Sequence, residues 1–245
     1  MKRKKGISIL VLALVDLAVL LALCLRKAPP EEAPPDTAPP EEVLPVAETA
    51  TGYESPIDFA KLRKQNPDIY GWLTIPGTEI DYPVLQNSED DYLYMYHNVD
   101  RKDDKNGALF TEHEYNGNDF SDPVTIIYGH HMKSGAMFGN LQQIYTDDFE
   151  GHRDVVIYTP EEELHYQVFA AVPYSNRHIL YFYDKFQMEE AVEEFVEELL
   201  DTRAIGATVD DTFTVEEGDR LLVLSTCLQG NNTRRFLVVG KLVSE

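Results

Sequence analysis

The chain has 245 residues and sets 43 Asp+Glu against 21 Lys+Arg, a formal net charge of −22, which argues against a protein that follows a nucleic-acid phosphate backbone. Its two cysteines, Cys24 and Cys227, are too few for a disulfide framework or a four-thiolate zinc cage. The length leaves room for one or two domains.

In chain order, the first feature is Ile7 to Leu25, 19 residues interrupted only by Ser8 and Asp16. At ~1.5 Å per residue a helix of that length spans roughly 28 Å, close to the ~30 Å hydrocarbon core of a bilayer. Lys2, Arg3, Lys4 and Lys5 outweigh Arg26 and Lys27. The positive-inside rule therefore predicts a cytoplasmic basic tail and transmembrane anchor over residues 1–27, with the rest of the chain extracellular. A cleaved signal peptide is the competing reading, but no small-x-small cleavage site follows the run. Residues 28–52 hold seven of the 14 prolines, interleaved with six acidic groups. Such a segment has too little apolar surface to fold and reads as an extended linker. The acidity of the chain thus belongs mainly to the domain expected over 53–245.

Ser55-Pro56-Ile57-Asp58 reads as the start of a short helix ending near Asn66, with Ser55 as N-cap and Pro56 in the first turn. Eight strand-like segments follow: 70–75, 80–85, 107–111, 124–128, 155–159, 164–172, 220–226 and 235–243. Turn signals such as Pro76-Gly77 and Asn106-Gly107 separate several of them. Eight short strands predict a mainly β domain, a barrel or a sandwich. One long helix, over 187–201, interrupts them. Its Val192, Phe195, Val196 and Leu199 fall at helical spacing opposite glutamates, a pattern that predicts core packing. Asp103 to Gly107 superficially fits a calcium loop, but Lys102 and His113 stand where acids are required. No metal or other cofactor is implied.

Cys227 has no disulfide partner in the expected extracellular domain, since Cys24 lies in the membrane run. An unpaired thiol in an oxidising compartment is buried or used. Cys227 ends an apolar strand that gives way to the polar stretch 228–234, the kind of place where catalytic groups sit on a rigid support. If the last two strands form a hairpin, Arg235 returns to the same rim, where a guanidinium would hold a developing oxyanion; Arg234 is its rival. A thiol nucleophile also needs a proton-transfer partner, normally histidine. Of seven histidines, His130 and His131 have the best position, directly after the apolar strand 124–128.

Tyr128-Gly129-His130-His131, Leu224-Ser225-Thr226-Cys227 and Arg234-Arg235-Phe236-Leu237-Val238-Val239-Gly240 resemble, in that order, the His, Cys and Arg motifs of sortases, most closely the class B branch. The resemblance covers most of 57–245 and implies an eight-stranded sortase-type β-barrel with an N-terminal helix. The long helix falls where the class B branch inserts one between late strands, and an N-terminal transmembrane helix also fits. It further implies a cysteine transpeptidase with Cys227 as nucleophile, His130 as acid/base and Arg235 as oxyanion or substrate stabiliser. Its expected partners are secreted proteins bearing a C-terminal sorting signal, cleaved through a thioacyl enzyme, and an amine of peptidoglycan or a pilin as acceptor. Three positions depart from the family pattern: Val223 in place of Thr, His131 where Asn is frequent, and Leu228 where some members carry an acid. Ser225, Thr226 and Tyr181 are candidate substrate contacts, with ordinary packing as the competing reading. A wall-associated cysteine peptidase and an inactive anchored binding module on the same barrel are the alternative functions.

Overall fold

The computed structural model describes residues 52–244. The expected anchor over 1–27, and all of the expected linker but Gly52, lie outside the described residues. Among those described, no helix is long and apolar enough to cross a membrane.

Eight strands close into a barrel. In chain order they are β1 (Ile69–Thr74), β2 (Asp81–Leu85), β3 (Leu109–Phe110), β4 (Val124–Tyr128), β5 (Asp154–Tyr158), β6 (Glu163–Tyr174), β8 (Leu221–Leu228) and β9 (Asn231–Ser244). The order around the barrel is β5-β1-β2-β3-β4-β8-β9-β6, and the β5–β6 pairing closes it. A two-residue strand, β7 (Thr208–Val209), adds to β6 outside the ring. The helices are α1 (Phe59–Gln65), α2 (Leu93–Tyr96), α3 (Leu141–Asp147), α4 (Ile179–Phe182) and α5 (Glu189–Leu200).

Alternation along the strands sorts side chains into two cores. Leu222 and Leu224 of β8, Phe236 and Val238 of β9 and Ile127 of β4 point into the barrel with residues of the other strands. Leu221, Val223, Leu237, Val239, Val124 and Ile126 point outward, beneath Phe195 and Leu199 of α5. Both faces of β4 and β8 are therefore covered, which is why each reads as a continuous apolar run and why they can pair in parallel. Val192, Phe195, Val196 and Leu199 are the buried stripe of α5. Full burial of a residue such as Phe195 or Leu199 contributes about 1.5–3 kcal/mol. Glu189 and Glu190 in the first turn suit the positive end of the helix dipole.

Two sequence expectations are corrected. The first helix begins at Phe59, not at Pro56: the Asp58 carboxylate accepts from Lys61 N–H at 2.9 Å, whereas the Ser55 hydroxyl accepts from Ile57 N–H. The polar stretch 228–234 is not a seven-residue loop. Only Gln229 and Gly230 separate β8 from β9, with Gly230 at φ +75°, in the left-handed region that favours glycine. Asn231 to Arg234 are polar because their end of the strand is exposed.

Candidate active site

Cys227 and Arg235 face each other as a cross-strand pair in the β8–β9 ladder, so both point to the same side of the sheet. Parity with Val223, Leu237 and Val239 makes that side the outer one, beneath α5. The parallel β4–β8 ladder runs from Val124 opposite Leu221 to Tyr128 opposite Ser225. Gly129 N–H then donates to the Ser225 carbonyl at 3.1 Å and carries the alignment one residue further. Continuing it sets His130 level with Cys227, on strands ~4.8 Å apart. Register thus sets His130 at the same end of the sheet as Cys227 and Arg235, which lie about a hundred positions later in the chain, while the imidazole's own hydrogen bond is to Met95.

The contacts distinguish each candidate from its neighbour. Arg235 Nη1 donates to the Cys227 sulfur at 3.5 Å and also reaches the Asn232 carbonyl at 3.4 Å. Arg234, one residue earlier, spends its Nε–H on the Tyr174 carbonyl instead. His130 Nε2 lies 2.8 Å from the Met95 carbonyl at the end of the α2 turn. A carbonyl only accepts, so Nε2 carries the proton, and Nδ1 is the nitrogen left to take up and release one. His131, bridged to Met137 through its backbone, has a buried Nδ1 that finds no hydrogen-bond partner. Burial pulls its pKa down and keeps the ring neutral. The pair of histidines left open by the sequence is thereby separated.

Gly129 makes this arrangement sterically possible. A Cβ there would lie 2.5 Å from Leu109 Cδ2 and 2.6 Å from Phe138 Cδ2, both fully buried side chains. Beside it, burial pushes the Tyr128 phenol well up; the Glu112 carboxylate adds to the rise and the Arg235 cation opposes it. The phenol is therefore protonated at neutral pH and sits within the field of the guanidinium.

Of the candidate substrate contacts, Tyr181 is open to solvent on α4, at 73% exposure. Ser225 is buried on the outer face, opposite Tyr128. Thr226 is buried on the barrel side, paired with Phe236, and its hydroxyl has no partner. Sequence reasoning passed over Met95 and Tyr128. Met95 contributes only a main-chain carbonyl, which leaves no mark on residue type.

Comparison with known proteins bears directly on this geometry. The family model described as the sortase domain matches residues 73–243. The chain belongs to the sortase family. It is 34% identical over 188 residues to sortase B of Listeria monocytogenes, covering 75% of this chain and 73% of that protein. The crystal structure of Clostridium perfringens sortase B superposes with a TM-score of 0.66 at 26% identity, over 76% of this chain and all of that one. A Staphylococcus aureus sortase B–substrate complex gives 0.64 at 26%, over 76% and 84%. These relatives place this sortase in class B, and its activity is cysteine transpeptidation. The closed eight-stranded barrel with a long helix between β6 and β8 agrees with the expectation drawn from the motifs.

Proposed function

We propose that Cys227, His130 and Arg235 perform the acyl transfer of this sortase on secreted proteins bearing a C-terminal sorting signal. The supporting observation is the Cys227–Arg235 cross-strand pair with His130 level with it on the adjoining strand. In the first half-reaction the Cys227 sulfur attacks a backbone carbonyl of the signal, and the thiol proton passes to His130 Nδ1. Arg235, already donating to the sulfur, donates to the oxyanion as charge builds there. The C–N bond breaks, His130 returns its proton to the departing amine, and a thioacyl enzyme is left. In the second, an acceptor amine attacks the thioester carbon and loses a proton to His130. The C–S bond then breaks, and sulfur leaves and is reprotonated. The amine belongs to peptidoglycan or to a pilin, and water in its place would make the protein a peptidase.

That a sortase B of S. aureus is known as a substrate complex supports a bound substrate for this chain as well, and we assign the exposed Tyr181 to its contact surface. The apolar run Ile7–Leu25 and the basic residues before it support membrane anchoring with the barrel outside the cell; protease protection of a terminal tag in intact cells tests that orientation. Incubating the full chain with sorting-signal peptides and measuring intact mass tests the chemistry. An acyl adduct should form and be absent in Cys227→Ala, and an added amine should shift products from acid to amide. An adduct that survives in Cys227→Ala would remove the sulfur from the mechanism.

A further inference from the structure

One buried carboxylate beside the proposed site has no part in the chemistry above. Glu112 follows β3 and is 2% exposed. Burial pushes its pKa up, with His178 and then Tyr128 pulling it back. His178 Nε2 lies 3.0 Å from each of its carboxylate oxygens and donates to Oε1. The other nitrogen of the same ring, Nδ1, accepts from Tyr181 N–H at 3.1 Å, so His178 is the side-chain N-cap of α4. A ring nitrogen that accepts from an amide carries no proton, which requires the neutral Nε2–H form of His178. The Glu112 carboxylate favours that form by accepting from Nε2–H. Tyr115 packs against the imidazole, with ring centroids 4.6 Å apart.

The helix capped in this way follows closely in the chain on the strand that pairs with β9. Four residues separate α4 from β6, whose last residue, Tyr174, pairs with Arg235. Ile179 and Leu180 of α4 are anchored in the outer core beneath α5, while Tyr181 and Phe182 project into solvent. A four-residue helix is far below the length that holds together by itself, so its orientation depends on its cap and on those two anchors.

We propose that Glu112 is a positioning residue for substrate binding, holding His178 in the tautomer that caps α4 and so fixing Tyr181 against the bound peptide. The effect of Glu112 on α4 passes through His178, while the Tyr128 phenol is its second hydrogen-bonding neighbour. The inference rests on the proposed reading of Cys227, His130 and Arg235 and on the proposed contact of Tyr181 with the peptide, and its test separates them.

With the full chain and whichever peptide forms the thioacyl adduct, steady-state kinetics should show KM raised about tenfold in Glu112→Ala and His178→Ala, with kcat within threefold. Alkylation of Cys227 by iodoacetamide should stay within twofold, because the reacting groups are undisturbed. Glu112→Gln, whose amide oxygen still accepts from Nε2–H, should recover most of the loss, and the double alanine variant should be no worse than either single one. Tyr181→Ala removes an exposed side chain and keeps the test open if the buried variants fail to fold; it should raise KM to a similar extent. A KM within twofold of the parent in Tyr181→Ala overturns the proposal. So does a fall in kcat and alkylation rate at unchanged KM in the other variants. Failure of every peptide to form an adduct on the parent chain would instead refute the reading of Cys227.

Discussion

Replacing Gly129 by alanine tests whether the close packing behind β4 is what sets the imidazole. Gly129 does not have a positive φ, so the backbone itself accepts alanine and the cost is steric. The new methyl would lie 2.5 Å from Leu109 Cδ2 and 2.6 Å from Phe138 Cδ2, roughly an ångström inside normal contact. Both neighbours are fully buried, so they cannot swing into solvent and the strand end carrying His130 is the part free to retreat. Overpacking of this size costs about 1–3 kcal/mol, or a Tm lower by roughly 2–12 °C for a domain of this length. A displacement of about 1 Å at a reacting group costs on the order of 100-fold in rate. Differential scanning fluorimetry and single-turnover acylation measure the two effects, with iodoacetamide alkylation of Cys227 as the control that should change least. A variant with lowered Tm but parental acylation rate would show that the barrel absorbs the methyl elsewhere. The link drawn from Gly129 to His130 would then be wrong.

Three further outcomes are expected. His130→Gln should lower acylation by roughly 10²–10⁴-fold while His131→Gln retains it; the reverse order would transfer the acid/base role to the residue with the buried, unpartnered Nδ1. Arg235→Lys should lose on the order of 10-fold or more in kcat/KM despite keeping the charge, since Nη1 is held by the Cys227 sulfur and the Asn232 carbonyl and a compact ammonium lacks the further planar N–H donors a guanidinium offers to an oxyanion; parental kcat/KM in Lys would reduce the requirement to charge alone. The Thr212 hydroxyl and the Arg153 guanidinium hold the Asp210 carboxyl below the usual carboxylate range, so its stabilisation is present above about pH 4 and is lost as pH falls through the folded value. The Tm deficit of Asp210→Asn should accordingly shrink on acidification from pH 6 to pH 3, and a deficit that grows would refute the sign.

How much of this was legible in the sequence depended on the length of each element. Seven of the eight barrel strands and α5 were readable because apolar periodicity runs through them, the two-residue β3 was readable because the Asn106-Gly107 turn signal precedes it, and Val124–Tyr128 coincides with its expected bounds. The four-residue turns α2 and α4 and the two-residue β7 are too short to carry a period. Yet α2 supplies the Met95 carbonyl to His130, and α4 carries Tyr181. Residues 231–234 were read as loop because they are exposed on both faces, although they continue a strand. Cys227 and Arg235 could be nominated from their places at strand ends. That they form one cross-strand pair, and that β4 lies parallel beside β8, are facts of pairing that the residues do not spell out individually. Separating His130 from His131 likewise required the hydrogen-bond partners of each ring.

The tight β8–β9 turn has a mechanical consequence. Sulfur and guanidinium ride on one ribbon held by a continuous ladder from Leu221–Lys241 to Cys227–Arg235, so parting them means unzipping sheet. The imidazole hangs beyond the last paired residue of β4, on a segment held by the Gly129 amide, by the Met95 carbonyl, by Phe138 N–H on the His130 carbonyl and by a single bridge from His131 to Met137. The assembly is a stiff fork facing a hinged arm, and slow opening that adjusts turnover should enter through the arm, with amide exchange at residues 129–131 outpacing that at 225–227.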